Sequence, residues 1–365
     1  MPDAIWIDRS DELAALADEL AAHEWIGVDT EFLRERTFFP KLCLLQLKAG
    51  GQIWCVDTLR VGSLEPLMAA LTAPRTRKII HAARQDLEAV YLTSKRVIGP
   101  VFDTQIAAGC IGLKPQAGYA ELVKTLLDVT VPKGQTRTDW SKRPLTREQL
   151  VYAADDVLYL GDIADLLTER LRALEREQWV AEDCLALQDK QLYEPDPSQA
   201  WIRLRGIAQL GPALRARAKA IAVWREKIAR QRDLPRAWIV ADPVIFAIAQ
   251  ANPATPAALQ AVHAMNEEFA ASVLQALRQA ALDSSDQEPS QDARPTATQK
   301  ATIERLARIV DARAAELQVS AEILAPRGEI KALAMATRAD ALRNSHALSG
   351  WRKRVIGNLL LEALA

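Results

Sequence analysis

Two carboxylates, Asp29 and Glu31, stand two residues apart at the end of an apolar run, in Val28-Asp29-Thr30-Glu31-Phe32. Residues i and i+2 of an extended strand leave the same face, so this spacing points both acids one way. Like charges held side by side repel, and such a pair is stable when a cation sits between them. A third acid, Asp86, follows Ile79-Ile80-His81 and opens a helix, where the N-terminal dipole favours negative charge. Tyr152 and Asp156 are four apart and share one helix face. Their neighbours Leu150, Val151, Val157, Leu158 and Leu160 are apolar, and acids in such company cost free energy unless ligated or solvated. Taken singly, these are also what a solvated acidic turn, a helix start and an exposed stripe look like. Together, four carboxylates and a phenol make a set of hard oxygen donors suited to Mg²⁺ or Mn²⁺ rather than zinc.

Positioning them requires a sheet and its helices. Trp25–Asp29, Leu42–Lys48, Gln52–Val56, Lys78–His81 and Val101–Asp103 read as strands, short and bounded by Gly, Pro or Asp. Gly50-Gly51 predicts a hairpin, hence an antiparallel pair. Helical patterns fall near Asp11–Ala22, Leu64–Leu71, Gln85–Thr93, Thr104–Ile111 and Tyr119–Leu127, and one or two helices are expected from Thr146, as cap, to about Lys190. The expected class is an α/β domain over 1–195, a mixed sheet flanked by helices. After Pro195 and Pro197 the strand signal ends. Residues 196–280 read as a helical domain, in which Asp242-Pro243 and Thr255-Pro256 each place a cap residue before a proline at the first helical position. Residues 281–297 read as a polar linker, and 298–365 as a second helical domain. Ile239-Val240-Ala241 with Phe246, and Ile323-Leu324-Ala325 with Ile330, form an echo 84 residues apart that suggests a duplicated module.

The 365 residues carry 46 basic and 47 acidic side chains, a net charge of −1 that argues against a nucleic-acid partner. The charge is segregated, however. Residues 1–195 sum to −7, 196–280 to +5, 281–297 to −3 and 298–365 to +4. Four dispersed cysteines with no C-x-x-C pair predict neither disulfides nor a zinc knuckle. The first ten residues lack the apolar core of a signal peptide, and the longest uncharged run, 243–266, contains prolines and polar residues unfit to span a bilayer. A cytoplasmic, soluble chain is the expectation. No G-x-x-x-x-G-K-[ST] is present, so no ATP-driven motor is expected.

The motifs D-T-E-F at 29–32, H-x-x-x-x-D-L-E at 81–88 and Y-A-A-x-D at 152–156 resemble those of the ribonuclease D family. That family lies within the DEDD superfamily of 3′→5′ exonucleases, in its tyrosine branch. L-C-L-L-Q-L at 42–47, F-D-T-Q at 102–105 and T-D-W at 138–140 are also similar, and the resemblance is dense over about 20–190. The two basic helical segments resemble HRDC domains, the second more weakly. The resemblance implies a ribonuclease H-like fold, with Asp29, Glu31, Asp86 and Asp156 as metal ligands and Tyr152 orienting the attacking water. A tyrosine-to-aspartate spacing of four selects Asp156 over Asp155. Hydrolysis with two Mg²⁺ or Mn²⁺ ions, releasing nucleoside 5′-monophosphates from RNA 3′ ends such as those of tRNA precursors, is implied too. A tyrosine titrates near pH ~10 and is too weak a base to activate water alone.

Residues 201–236 hold ten Lys/Arg against two acids. Along the helix from Pro212, Arg215, Lys219 and Arg230 lie off the apolar stripe and are the expected phosphate contacts. Trp351-Arg352-Lys353-Arg354 is a second basic patch. Trp140 either stacks on a base or closes the core, and His81 is expected in a structural hydrogen bond. A DNA-directed exonuclease and a non-catalytic RNA-binding scaffold are the competing readings. A monomer is the default expectation.

Overall fold

β-Branched and aromatic residues in alternation build a six-stranded sheet in the computed structural model, which describes residues 4–132, 134, 138–282, 295–336 and 345–364. The strands are β1 (Ile5–Ile7), β2 (Trp25–Leu33), β3 (Lys41–Ala49), β4 (Gln52–Val56), β5 (Arg77–Ile80) and β6 (Val101–Asp103), in the order β1-β4-β3-β2-β5-β6. β3 pairs antiparallel with β2 on one side and with β4 on the other, while β1–β4, β2–β5 and β5–β6 are parallel. The sheet is mixed, as expected. Gly50 turns the β3–β4 hairpin at φ +53°, a left-handed conformation that glycine adopts without a Cβ clash. β1, a three-residue edge strand, is an addition to the expected five.

Helices cover both faces. α1 (Glu12–Ala21), α2 (Glu65–Leu71) and α3 (Arg84–Ser94) share a core with Val28, Leu45, Leu47, Trp54 and Val56. The other face takes α4 (Thr104–Cys110), α5 (Tyr119–Leu127), α6 (Arg147–Leu158), α7 (Leu160–Ala173) and α8 (Glu177–Ala186). The expected one or two helices after Thr146 are therefore three. Thr146 and Gln149 form a reciprocal capping box on α6. Just beyond α6, Gly161 lies so near Trp25 that a Cβ would come within 2.5 Å of the indole, so glycine is what lets α7 close on the sheet.

By contact the chain divides into two units, Met1–Leu33 with Pro40–Tyr193 and Pro295–Ala365, and Arg34–Phe39 with Glu194–Arg294. The second unit holds α9 (Pro212–Arg232), α10 (Arg236–Ile239), α11 (Asp242–Ala251), α12 (Pro256–Val262) and α13 (Glu267–Leu282). Thr255 caps α12 through Ala258 N–H, as expected. Asp242 is instead the first residue of α11, and its carboxylate pairs with buried Arg225 at 2.6 Å. The expected linker 281–297 is cut back: α13 runs to Leu282, α14 (Ala297–Leu317) starts at Ala297, and 283–294 lie outside the described residues.

α14 is followed by α15 (Ala321–Leu324), α16 (Arg327–Met335) and a helical stretch over 350–364. α9 and α14 are both 21 residues long, each ends on a left-handed residue (Asp233, Gln318), and each precedes a four-residue helix and one extended residue (Val240, Ala325). The equivalent starts, 212 and 297, set the register at 85, so the 84-residue sequence echo is one residue out. This C-terminal segment packs within the nuclease-side unit. Trp351 stacks on Trp179 at 4.0 Å and 7°, and Arg352 grips Asp183 through two hydrogen bonds of 2.6 and 2.8 Å. The run 351–354 is thus part latch: Trp351 and Arg352 are buried, while Lys353 and Arg354 stay exposed, with Arg354 facing Glu182.

Candidate active site

β2 runs through the middle of the sheet, and its alternation divides its residues between faces. Val28 joins the core under α1–α3, while Asp29 and Glu31 face the side covered by α6. One carboxylate oxygen each from Asp29, Glu31 and Asp156 falls within 4.8 Å of the others, and all three groups are half-buried. The strand spacing and the helix spacing therefore converge on one point. Of the two adjacent acids, Asp156, the one the tyrosine-to-aspartate spacing selects, joins the cluster and Asp155 does not. Tyr152 donates a hydrogen bond to Asp156.

Asp86 enters from the first turn of α3 and is buried, accepting a hydrogen bond from Thr30 Oγ1. It stands outside the three-oxygen group yet close enough for its charge to act on Glu31 and Asp156. Its aim is set from a distance. Asp103, at the end of β6, accepts from Ala82 N–H (3.1 Å) and Ala83 N–H (2.8 Å), fixing the turn between β5 and α3 where Ala82 sits at φ +55°. The same Asp103 caps α4 through Gln105 and Ile106. Asp103 belongs to the F-D-T-Q motif, so its signal was in the sequence but not its job.

Burial, then mutual repulsion, pushes all four carboxyls up. Glu31 reaches about 9 and Asp156 about 7, while Asp29 and Asp86 lie well above the ordinary carboxylate range. The hydrogen bond from Tyr152 works against this on Asp156. Four acids that repel their own ionisation are stabilised as anions by cationic charge placed among them. With all-oxygen donors at this spacing, the site fits a hard divalent cation. The segment leading into α6 is tied to the sheet by Arg143, whose guanidinium meets buried Asp57 at 2.6 and 2.7 Å and the carbonyls of Cys43 and Trp140 at 2.8 and 2.7 Å. Tyr119 marks the α6–α7 break, donating to Asp155 C=O (2.9 Å) and accepting from Tyr159 N–H (3.0 Å).

Trp140 is 2% exposed, packed among Cys43, Leu44, Cys55 and Ala153 and 6.1 Å from the Tyr152 ring. It offers no face to a base, so the stacking expectation is corrected: Trp140 supports Tyr152 from behind. His81 lies in structural bonds as expected, to Thr104 Oγ1 (2.9 Å) and Ala117 C=O (3.1 Å). All four cysteines are buried thiols with no disulfide.

A family profile for 3′-5′ exonucleases matches residues 4–172, and one for the HRDC domain matches 215–280. Ribonuclease D of Acidiphilium cryptum (strain JF-5) is 36% identical over 98% of this chain and 92% of its own length. The chain belongs to the ribonuclease D family. Ribonuclease D of Pseudomonas paraeruginosa (strain DSM 24068 / PA7) is 31% identical, covering 100% of this chain and 98% of that protein. The crystal structure of Escherichia coli RNase D superposes with a TM-score of 0.86 at 28% identity, over 99% of this chain and 98% of that one. As a member of the ribonuclease D family the chain is a 3′-5′ exoribonuclease, a hydrolase of phosphodiester bonds dependent on divalent metal. Among the described residues no helix is long and apolar enough to cross a membrane.

The basic face of the helical unit is more occupied than the charge count implies. Arg230 donates to Pro195 C=O and to buried Glu226 (3.1 Å) and covers the Phe38 ring at 5.5 Å. Burial pushes the Glu226 carboxyl up, but Arg236 and Arg230 overcome that and hold it below its ordinary value. Arg230 is therefore a structural cation, and its assignment to RNA is corrected. Arg215 and Lys219 are half-buried, one donating to Leu210 C=O and the other lying 5.0 Å over the Trp201 ring.

Proposed function

We propose that Asp29, Glu31, Asp86 and Asp156 hold two Mg²⁺ or Mn²⁺ ions, and that the chain trims 3′ ends of structured RNAs such as tRNA precursors, releasing nucleoside 5′-monophosphates. The observation that carries the reading is the convergence of three carboxylates from β2 and α6 within 4.8 Å, with Tyr152 bonded to one of them. Metal ions bound there would supply an activated water and neutralise charge on the leaving 3′-oxygen. The carboxylates themselves provide charge and orientation. Tyr152, whose hydroxyl already reaches Asp156, positions the water by hydrogen bonding, with the buried Trp140 behind its ring.

RNA as substrate accords with the Escherichia coli relative, which is described as an exoribonuclease involved in structured RNA processing. Arg215 and Lys219 on α9 are the proposed phosphate contacts. The 85-residue match of helix layout supports the second helical domain, 298–365, as a divergent HRDC-like copy. The test uses 5′-labelled RNA and DNA oligomers, with free or phosphate-blocked 3′ ends, in Mg²⁺, Mn²⁺ or EDTA. The reading expects a 3′-shortening ladder on free-ended RNA that requires metal. Internal cuts, or cleavage that persists in EDTA, would overturn it.

A further inference from the structure

The strand beside β2 carries a polar group that nothing so far uses. Gln46, in the middle of β3, is 0% exposed, and among the described residues neither its Oε1 nor its Nε2 has a hydrogen-bond partner. Buried amides in folded proteins are bonded in the great majority of cases, because a desolvated donor left unmet is costly. Its position says what it faces. Gln46 pairs directly with Asp29 across β2–β3 and with Cys55 across β3–β4. Directly opposed residues of antiparallel strands project from the same face with Cβ atoms ~5 Å apart.

The alternation along β3 agrees. Leu45 and Leu47 belong to the core under α1–α3, whereas Leu44 packs with Trp140 and Ala153, and Lys48 Nζ donates to Leu158 C=O of α6. Gln46 therefore lies on the α6 face, between Asp29 on one side and a buried thiol on the other. Cysteine sulfur is a weak acceptor and the Asp29 carboxylate a strong one.

We propose that Gln46 is a positioning residue for Asp29: its Nε2–H donates to the Asp29 carboxylate when that group serves as a metal ligand, fixing the orientation of the ligand. The inference rests on the metal-site reading above. It explains why an amide is kept in a β3 interior otherwise filled by Leu42, Cys43, Leu44, Leu45 and Leu47, where an apolar side chain would pack without loss. Partners of this kind typically change metal affinity by ~10–100-fold when removed.

The test compares the full-length wild type with Gln46→Met, Gln46→Leu and Asp29→Asn. Mn²⁺ alone is titrated by calorimetry, and the thermal midpoint of the metal-free proteins is recorded. Both Gln46 variants should bind Mn²⁺ about 10–100-fold more weakly, with a metal-free midpoint equal to or above wild type. Their kcat at limiting Mn²⁺ should fall and recover at saturating Mn²⁺, with KM for RNA unchanged. Wild-type Mn²⁺ affinity in both Gln46 variants, or a lowered metal-free midpoint that accounts for the weaker binding, overturns the proposal. Should Asp29→Asn also bind Mn²⁺ like wild type, the metal-site reading fails as well; if only Asp29→Asn loses binding, that reading stands and the role of Gln46 is refuted.

Discussion

Metal binding at this site must expel protons, and the structure sets how many. At pH 7 a carboxyl pushed up to about 9 is almost wholly protonated, and one at about 7 is half protonated. Glu31 and Asp156 together therefore hold more than one proton that a cation must displace. Asp29 and Asp86, raised well above the ordinary range by burial and then by neighbouring charge, add to that number. The apparent Mn²⁺ affinity should climb with pH between 6 and 8, with a slope of log K against pH greater than one. Calorimetric titration in buffers of different ionisation enthalpy reads the released protons directly. The stability of the metal-free protein should move the opposite way. Each of these carboxyls keeps its proton to a higher pH in the folded state than in the unfolded one. Their contribution is thus fully present below the unfolded carboxyl range, near pH ~4, and is lost as pH rises through each raised value, about 7 for Asp156 and about 9 for Glu31. Saturating Mn²⁺ should abolish that decline. Release of no protons at pH 7, or a pH-independent affinity, would refute the reasoning, because it would mean the acids are already ionised or lie outside the metal site.

Tyr152→Phe keeps the ring on Trp140 but removes the hydroxyl on Asp156, so kcat should fall by about a hundredfold with little change in RNA affinity, read by single-turnover cleavage. Arg352→Ala strands Asp183 and loosens the Trp351 latch. Urea unfolding should show a loss on the order of 3 kcal/mol, with RNA affinity unchanged. Arg143→Ala leaves buried Asp57 without its cation and frees the segment before α6, so both the thermal midpoint and activity should drop. Replacing Arg215 and Lys219 with Glu should weaken RNA binding and flatten its salt dependence while sparing turnover at saturating RNA; unchanged affinity would exclude these two from the phosphate-contacting surface.

The local geometry of the site was legible because it rests on periodicity. A two-residue spacing on a strand and a four-residue spacing on a helix fixed which of Asp29, Glu31, Asp155 and Asp156 face together. What positions them was not legible, since it depends on partners distant in sequence. Asp103 holds the turn before Asp86 across some twenty residues, and Tyr119 marks the break between α6 and α7 from a different helix. Charge counts misled for the same reason: Arg230 and Arg352 look available to phosphate until Glu226 and Asp183 are seen to hold them. β1 escaped because three residues at a sheet edge carry too little alternation to register.

The central claim is that the acids converging on β2 and α6 perform metal-dependent 3′-end hydrolysis. It is tested most directly by single-turnover cleavage of 5′-labelled RNA in Mg²⁺ with wild type and Asp156→Asn, alongside RNA affinity measured without turnover. The account predicts a rate loss on the order of a thousandfold, with RNA affinity and thermal midpoint kept. A variant that shortens RNA from the 3′ end at the wild-type rate would contradict it.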